Sequence, residues 1–144
     1  MNREEFSVLD IGCGYGVVSV IIKSFYKKAE LTLSDINERA LELSRENLQR
    51  HGIEDFNTIK SSAFDNIDKM FDVILSNPPI RAGKKIIFEI YEKSFDYLNR
   101  NGEFYCVIQT KHGAKSTQKK LEEVFGNCDT LTIDGGYRIY RSKK

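Results

Sequence analysis

Short apolar runs alternate with segments of helical periodicity along most of this chain. The five runs that have the length and composition of strands lie at residues 7–11, 30–34, 56–60, 71–76 and 103–109. The centre of the fourth run, Val73, Ile74 and Leu75, is wholly apolar, as expected of a strand that is buried on both faces. This alternation predicts a parallel sheet with helices packed on both of its faces.

The C-terminal part of the chain has a different pattern. Apolar residues alternate with threonines over residues 130–133, and the turn sequence Asp134-Gly135-Gly136 precedes a last strand-like run. Two runs joined by such a turn are typical of a β-hairpin. Because the other connections are also short, we expect residues 1–144 to form a single α/β domain. Its sheet would be seven-stranded and mostly parallel, with helices on both faces and a C-terminal antiparallel hairpin.

Four helices are predicted between these strands. The first covers residues 17–27, and helical spacing gives it one apolar face, which we expect to be buried. The residues of that face are Val17, Val18, Ile21, Ile22 and Phe25. The second helix begins after Asn37, a good N-cap residue, and ends near Gly52. The third and fourth cover residues 84–98 and 114–125.

Composition excludes several classes of protein. Of the 144 residues, 40% are hydrophobic, which is too many for a disordered chain, and no apolar stretch approaches the ~20 residues of a membrane helix. The net charge of +1 excludes a strongly basic nucleic-acid wrapper but not an enzyme with a local basic patch. The polar N-terminus is not a signal peptide, so we expect a cytoplasmic protein. Three scattered cysteines suggest neither a disulfide framework nor a metal site.

A glycine-rich segment, Asp10-Ile11-Gly12-Cys13-Gly14-Tyr15-Gly16, joins the first strand to the first helix. Glycines allow a tight turn and a close approach of the backbone to a ligand. The helix N-terminus behind them favours a carboxylate or another anionic group. The spacing is GxGxG, whereas the dinucleotide-binding fingerprint is GxGxxG. The segment therefore indicates a small-molecule site and argues against a nicotinamide cofactor.

Acidic residues follow the next two strands at the same edge of the predicted sheet. Asp35 ends the second strand, where an acid in nucleotide-type α/β sites hydrogen-bonds ribose hydroxyls. Ile36 beside it is placed to pack against an adenine face. Asp65 follows the third strand and is a candidate acceptor for an adenine amino group. A helix cap for Asp35 and a loop aspartate for Asp65 are the alternative interpretations.

The sequence Asn77-Pro78-Pro79-Ile80 follows the fourth strand. Proline removes backbone donors and restricts the residue before it, so this segment ends the strand and leaves carbonyls without strand partners. The Asn77 side chain offers a further acceptor. Two convergent acceptors suit an amino group, since they hold both of its protons and raise the electron density on its nitrogen.

Together these motifs resemble class I S-adenosylmethionine-dependent methyltransferases that act on amino nitrogens. More narrowly, the chain resembles the methyltransferase small domain family, which includes ribosomal-RNA guanine-N2 methyltransferases and archaeal relatives. The resemblance rests on VLDIGCGYG, NPPIRAGK, VIQTKHGAKS and GGYR, at residues 8–16, 77–84, 107–116 and 135–138. It covers nearly the whole chain. It implies a Rossmann-like fold, S-adenosyl-L-methionine as cofactor, and methylation of an exocyclic amino group in RNA, with guanine N2 of rRNA favoured.

The resemblance also assigns roles to individual residues. Asp10 and the backbone at Gly12 and Gly14 would hold the methionine part of the cofactor, and Phe64 with Asp65 would hold the adenine. The whole set assigned to the cofactor is Asp10, Gly12, Cys13, Gly14, Gly16, Asp35, Ile36, Phe64, Asp65 and Asn77. The catalytic residues would be Asn77, Pro78 and Pro79, because Asn77 and the Pro78 carbonyl would hold the target nitrogen. Family members also carry a segment before the first strand that helps to cover the cofactor, where this chain has six residues.

Basic residues surround the Asn-Pro-Pro segment. Arg81, Lys84 and Lys85 form a cluster beside it. The two lysines lie in the first turn of a helix, where cations oppose the helix dipole, and such a placement makes sense where a phosphate approaches. We therefore predict RNA as the partner, with Ile80, Arg81, Lys84 and Lys111 as substrate-binding residues. An ordinary solvated loop is the alternative. Many amino methyltransferases carry an aromatic residue where Ile80 stands here.

Two other functions stay open at this stage. One is methylation of a protein glutamine amide, in a family that also uses an Asn-Pro-Pro loop but lacks the RAGK and QTK strings. The other is a non-catalytic RNA-binding or scaffold domain that retains the fold. Retention of Asp10, Asp35, Asn77 and the glycines favours an enzyme. The sequence indicates neither the particular substrate nor the oligomeric state.

Overall fold

A computed structural model describes residues 5–78 and 80–144, and its strands form one sheet in the order β3-β2-β1-β4-β5-β7-β6. The strands are β1 (Phe6–Ile11), β2 (Ala29–Asp35), β3 (Phe56–Lys60), β4 (Phe71–Ser76), β5 (Leu98–Gln109), β6 (Asp129–Asp134) and β7 (Tyr137–Lys143). Strands β1 to β5 are parallel to one another, whereas β7 is antiparallel to both β5 and β6. The predicted sheet, including its C-terminal hairpin, is confirmed.

The helices cover both faces of this sheet. They are α1 (Val17–Phe25), α2 (Glu38–Arg50), α3 (Lys84–Tyr97) and α4 (Ala114–Phe125). Helices α1 and α2 share one apolar cluster with β1, β2 and β4, and α3 and α4 share another with β1, β4, β5 and β7. As predicted, the Asn37 side chain caps α2 by accepting a hydrogen bond from the Arg39 amide. None of the helices in the described ranges is long and apolar enough to cross a membrane.

The prediction of which face of α1 is buried is wrong. Val17, Ile21 and Phe25 are 54%, 50% and 78% exposed, whereas Ser19 and Val20 are buried. The helix turns this narrower face to the sheet because the Ser19 hydroxyl donates a hydrogen bond to the Asp10 carboxylate of β1 and Val20 packs into the adjoining core. Helical periodicity identifies an apolar stripe, but the neighbouring elements decide which side of the helix they cover.

The order of the strands reverses beside β1. The chain runs outward from β1 through β2 to β3 and then crosses back to β4 on the other side of β1. In open α/β sheets, ligands bind in the crevice that such a reversal leaves at the carboxyl ends of the strands. Ile11 at the end of β1 pairs with Ser76 at the end of β4, so this position lies directly between the two strands.

Candidate active site

A cavity of about 280 Å³ opens at this position. It is lined by Asp10, Gly12, Cys13, Gly14, Tyr15, Val17, Val18, Leu75, Ser76, Asn77, Tyr105 and Val107. Its volume lies just below the ~300–1,000 Å³ found for small-molecule sites. The fold therefore brings the glycine loop and the residue after β4, which are far apart in sequence, to the wall of one cavity.

Asp10 provides the buried charge of this cavity. Its side chain lies at the end of β1 and is only 5% exposed, and the Ser19 hydroxyl donates a hydrogen bond of 3.0 Å to its Oδ2. Burial raises the pKa of Asp10 to about 6; the Ser19 hydrogen bond lowers it, and the nearby charge of Asp35 raises it. A carboxylate removed from water favours a cationic partner, and its remaining lone pairs can accept hydrogen bonds from an ammonium group.

Side chains of β2 and α2 hold the glycine loop in place. Asp35 accepts a hydrogen bond of 3.1 Å from the Gly14 amide, and its other oxygen accepts one from the amide two residues further on. From α2, Ser44 donates to the Gly14 carbonyl at 2.6 Å and Asn47 donates to the Tyr15 carbonyl at 3.1 Å. Neither Ser44 nor Asn47 was predicted from the sequence to contact the loop. Their i, i+3 spacing, on the α2 face that meets the loop, is the signal that marks them.

Gly16 is required for two separate reasons. Its φ of +77° is a backbone conformation that residues with a Cβ rarely adopt. In addition, a Cβ at this position would lie 3.2 Å from both Cβ and Oγ of Ser44, the residue that holds the loop. The third glycine of GxGxG thus serves the packing of the loop on α2 and does not itself line the cavity.

Most amides of the glycine loop are engaged within the protein. Those of Gly12 and Cys13 donate to the Ser34 carbonyl at 2.9 and 3.0 Å, and that of Gly14 donates to the carboxylate at the end of β2. The Gly12 carbonyl, by contrast, accepts no hydrogen bond from any residue in the described ranges, and Gly12 is exposed. The available backbone group for the predicted methionine contact is therefore this carbonyl and not the Gly14 amide.

The residues predicted to hold a ribose and an adenine lie beyond the lining of this cavity. Asp35 is half-buried, and Ile36 and Asp65 are exposed, so all three are accessible at the carboxyl edge of the sheet. The Phe64 side chain is not available for an adenine contact, contrary to the prediction. It is 2% exposed and stacks on Tyr97 of α3, with the ring centroids 4.6 Å apart, because the loop after β3 turns it into the core.

The residue after β4 is open to a second molecule. The Asn77 side chain is exposed at the mouth of the cavity, and Pro78 after it is buried. Pro79, also predicted to be catalytic, lies outside the described residues. The backbone of Ile80 begins a short 3-10 turn, and Arg81 in that turn is exposed.

The predicted basic residues are also at the surface. Lys84 and Lys85 are exposed in the first turn of α3, and the Lys84 ammonium lies 5.2 Å from the centre of the Phe88 ring. Lys111 is exposed and lines a second cleft beyond the end of β5.

Two residues of the neighbouring strand complete the cavity and were not identified from the sequence. Tyr105 and Val107 are half-buried residues of β5 that alternate with the core residues Phe104, Cys106 and Ile108. The period-2 alternation shows that two faces exist, but not that the face of Tyr105 meets a ligand site. That depends on β5 lying next to β4.

Another cavity, of about 490 Å³, lies at the opposite edge of the sheet between the end of α1 and the loop before β3. Its wall mixes cations such as Lys23 with anions such as Glu54, and the glycine loop does not reach it. The converging polar groups lie in the smaller cavity, which is therefore the candidate site. In the described part of the chain, no group of three or more His, Cys, Asp or Glu side chains is placed to hold a metal ion.

The model of the methyltransferase small domain family matches residues 1–141. The chain belongs to this family. A Bacillus subtilis relative, uncharacterized protein YbxB, is 44% identical over 142 residues, which cover 97% of this chain and 71% of that protein. Ribosomal RNA small subunit methyltransferase C of Cronobacter sakazakii is 34% identical over 139 residues, which cover 94% of this chain and 40% of the relative. The chain thus spans about two fifths of the length of that relative.

Solved structures agree on the fold. The 16S rRNA N2 methyltransferase of T. thermophilus, in complex with S-adenosylmethionine and guanosine, superposes with a TM-score of 0.84 at 21% identity; the match covers 96% of this chain and 37% of that chain. Ribosomal protein L11 methylase from Lactobacillus delbrueckii superposes with a TM-score of 0.83 at 21% identity; the match covers 100% of this chain and 72% of that chain. The predicted family and Rossmann-like fold are confirmed, and S-adenosylmethionine is the cofactor of that family.

Proposed function

We propose that this chain transfers a methyl group from S-adenosylmethionine to an exocyclic amino nitrogen of RNA, with N2 of a guanine in ribosomal RNA as the target. The observation that carries the proposal is the position of Asn77. Its exposed amide lies at the mouth of the cavity whose wall includes the buried carboxylate of Asp10. The name of the Cronobacter relative and the guanosine in the T. thermophilus structure support the choice of substrate. An enzyme that acts on this substrate is expected in the cytoplasm.

The Asp10 end of the cavity fits the amino-acid part of the cofactor. An ammonium has three donors and one positive charge. The Asp10 carboxylate offers acceptors with the opposite charge, and the Gly12 carbonyl, which has no partner within the described ranges, offers a further acceptor. Beyond them, both Asp35 oxygens already accept one backbone hydrogen bond each, which fixes the carboxylate and leaves lone pairs for ribose hydroxyls. When bound, S-adenosylmethionine supplies a methyl group on a positively charged sulfur that departs as a neutral thioether.

The Asn77 end fits an aromatic amine. The lone pair of such a nitrogen is delocalised into its ring, so the nitrogen must become pyramidal before it can attack. The Asn77 side-chain oxygen and the Pro78 carbonyl would accept its two N–H groups and favour the pyramidal geometry over the flat ground state. Removing one oxyanion-hole donor, which is also a contact made in the transition state, costs about 10²–10³ in rate. The rest of the rate enhancement comes from orientation, which can replace a dedicated base or metal.

The walls between these two ends are apolar. Val17 and Val18 of α1, Leu75 of β4 and Val107 of β5 all line the cavity. Such walls exclude water from the transferred methyl group and strengthen the electrostatic contacts of Asp10. The proton released by the amine leaves to solvent on the open side of Asn77.

The exposed cations near the opening suit a nucleic-acid substrate. Arg81 and Lys84 follow the Asn-Pro-Pro segment directly, and Lys111 lies beyond the end of β5. Their role would be to bind phosphates and to orient the RNA without reading its sequence. Binding should therefore weaken as the salt concentration rises.

The first test is a calorimetric titration of the protein with S-adenosylmethionine, repeated with Asp35→Ala. We expect one-to-one binding that the substitution weakens. Absence of binding by the folded protein would contradict the proposal and favour a scaffold domain.

The second test uses Asn77→Ala and labelled methyl transfer to 16S rRNA. We expect cofactor affinity to be unchanged and turnover to fall about 10²–10³-fold. Asn57→Ala is the matched control, because Asn57 is an exposed residue of β3 away from the cavity. Equal turnover by Asn77→Ala and the control would exclude a catalytic role for Asn77. Methylation of a protein glutamine and not of RNA would show that RNA is not the substrate.

A further inference from the structure

A second cleft, of about 420 Å³, adjoins the candidate active site. It is lined by Gln109, Thr110, Lys111, Gly135, Gly136 and Tyr137, from the end of β5 and the turn between β6 and β7. The Thr110 amide donates a hydrogen bond of 2.7 Å to the Gly136 carbonyl, which fixes the turn against the end of β5. The cleft is thus built by a defined contact between two elements.

The register of β5 connects this cleft to the cavity of Asp10 and Asn77. Val107 lines that cavity and Gln109 lines the cleft, and alternation along β5 places both residues on the same face of the sheet. Two residues of a strand span about 7 Å. Because Ser76 pairs with Cys106, the register places Asn77 at the level of Val107, two residues along β5 from Gln109.

The side chain of Gln109 has one unsatisfied end. Its Nε2 donates a hydrogen bond of 2.8 Å to the hydroxyl of Tyr137, its partner in the β5–β7 register. Its Oε1 is shielded from water and has no hydrogen-bond partner within the described ranges. An acceptor left in this state costs about 1–3 kcal/mol, so a ligand that brings a donor into the cleft gains by satisfying it.

Tyr137 and Lys111 supply the other elements of a nucleotide site. The Tyr137 side chain is 43% exposed, and the two glycines before it place no side chain beside its ring. An exposed aromatic ring is a stacking platform for a base, worth about 1–3 kcal/mol in single-stranded nucleic-acid sites. Lys111 provides a cation for a phosphate at the same cleft.

We propose that this cleft is the subsite for the target nucleobase, in which Tyr137 stacks on a purine and Gln109 selects guanine by accepting its N1–H. The inference rests on the proposed function, because the amino group of the base must reach Asn77. On guanine, N1–H and the N2 amino group are neighbours on one edge, so the two acceptors Gln109 and Asn77 can be reached together. Adenine presents a lone pair at N1, which would face the Gln109 oxygen and be repelled. Gln109 is thus a specificity-determining residue.

The test measures binding of two nucleosides to the protein saturated with S-adenosylhomocysteine, so that no turnover occurs. Guanosine has the N1–H, whereas 2-aminopurine riboside keeps the amino group at C2 but has a lone pair at N1. We expect the wild-type protein to bind guanosine about tenfold more tightly, from one buried hydrogen bond, and Gln109→Leu to lose this preference. Tyr137→Leu should weaken the binding of both nucleosides to a similar extent. Gln49→Leu, at an exposed position of α2, should change the affinity for neither nucleoside.

The outcomes separate this inference from the proposed function. If Gln109→Leu keeps the wild-type preference, or if Tyr137→Leu binds both nucleosides as tightly as wild type, the subsite is excluded. Tyr137→Phe, which keeps the ring and removes only the hydroxyl, should retain stacking and guards against a folding defect. Failure of S-adenosylmethionine to bind would overturn the proposed function, and the nucleoside preference is then measured on the protein alone.

Discussion

Replacing Asp10 by Asn is expected to stabilise the folded protein at neutral pH while it abolishes cofactor binding. Burial raises the pKa of Asp10 from 3.8 to about 6, which corresponds to about 3 kcal/mol of preference for its neutral form in the folded state. Well below pH 3.8 both states hold the proton and this penalty is absent. As the pH rises from 4 to 6, the unfolded chain releases the proton first, so stability falls across this window and the full penalty remains above it.

The neutral Asn side chain escapes this penalty and can still accept the Ser19 hydroxyl with its oxygen. Its amide nitrogen brings donors that need partners, so about 3 kcal/mol is the upper limit of the gain. The same change removes the negative charge that would hold the cofactor's ammonium.

Urea unfolding followed by circular dichroism at pH 7.5 and at pH 4 measures the effect. The midpoint of Asp10→Asn should exceed that of wild type at pH 7.5, and the difference should largely vanish at pH 4. Asp55→Asn, at an exposed position, is the control and should change neither. A variant no more stable than wild type at pH 7.5, or a gain of equal size at both pH values, would refute the reasoning about burial.

Three further results are expected. Cofactor affinity, measured by calorimetry, should fall about tenfold between pH 7 and pH 5, because the raised pKa of Asp10 protonates the carboxylate there; a flat profile would exclude Asp10 as the ammonium partner. Gly16→Ala should lower the free energy of unfolding by at least about 1 kcal/mol, from its positive φ and the 3.2 Å approach to Ser44, whereas an unchanged urea midpoint would contradict that geometry. Phe25→Ser should leave the melting temperature nearly unchanged, since Phe25 is exposed; a loss typical of core residues would restore the original assignment of the α1 face.

Much of the architecture could be predicted because it depends on local signals. The third and fourth strands begin and end at the predicted residues, since charged and turn residues bound both runs. Asn37 caps α2 and Gly135-Gly136 closes the hairpin, as expected of residues whose own backbone or side chain satisfies the turn. The position of Asp10 and Asn77 beside one cavity followed from a general rule, since carboxyl ends of parallel strands meet at one edge.

The errors concern side chains whose environment comes from distant segments. The apolar stripe of α1 was assigned to the core, and Phe64 was assigned to the cofactor, because a pattern of residue types does not say where neighbouring elements lie. The hydrogen bonds of Ser44 and Asn47 to the glycine loop likewise exist only once α2 has packed beside it.

By itself, the sequence determined the succession of strands and helices, the glycine turn after β1 and the acceptors after β4, because each depends on residues adjacent in the chain. The tertiary structure alone decided how deeply Asp10 is buried, which face of α1 meets the sheet, and that Gln109 and Tyr137 line one cleft. The physical reason is that burial, and with it pKa and ligand access, is set by the surfaces that pack together. Those surfaces come from β1, β4, β5 and β7, which meet only in the folded sheet.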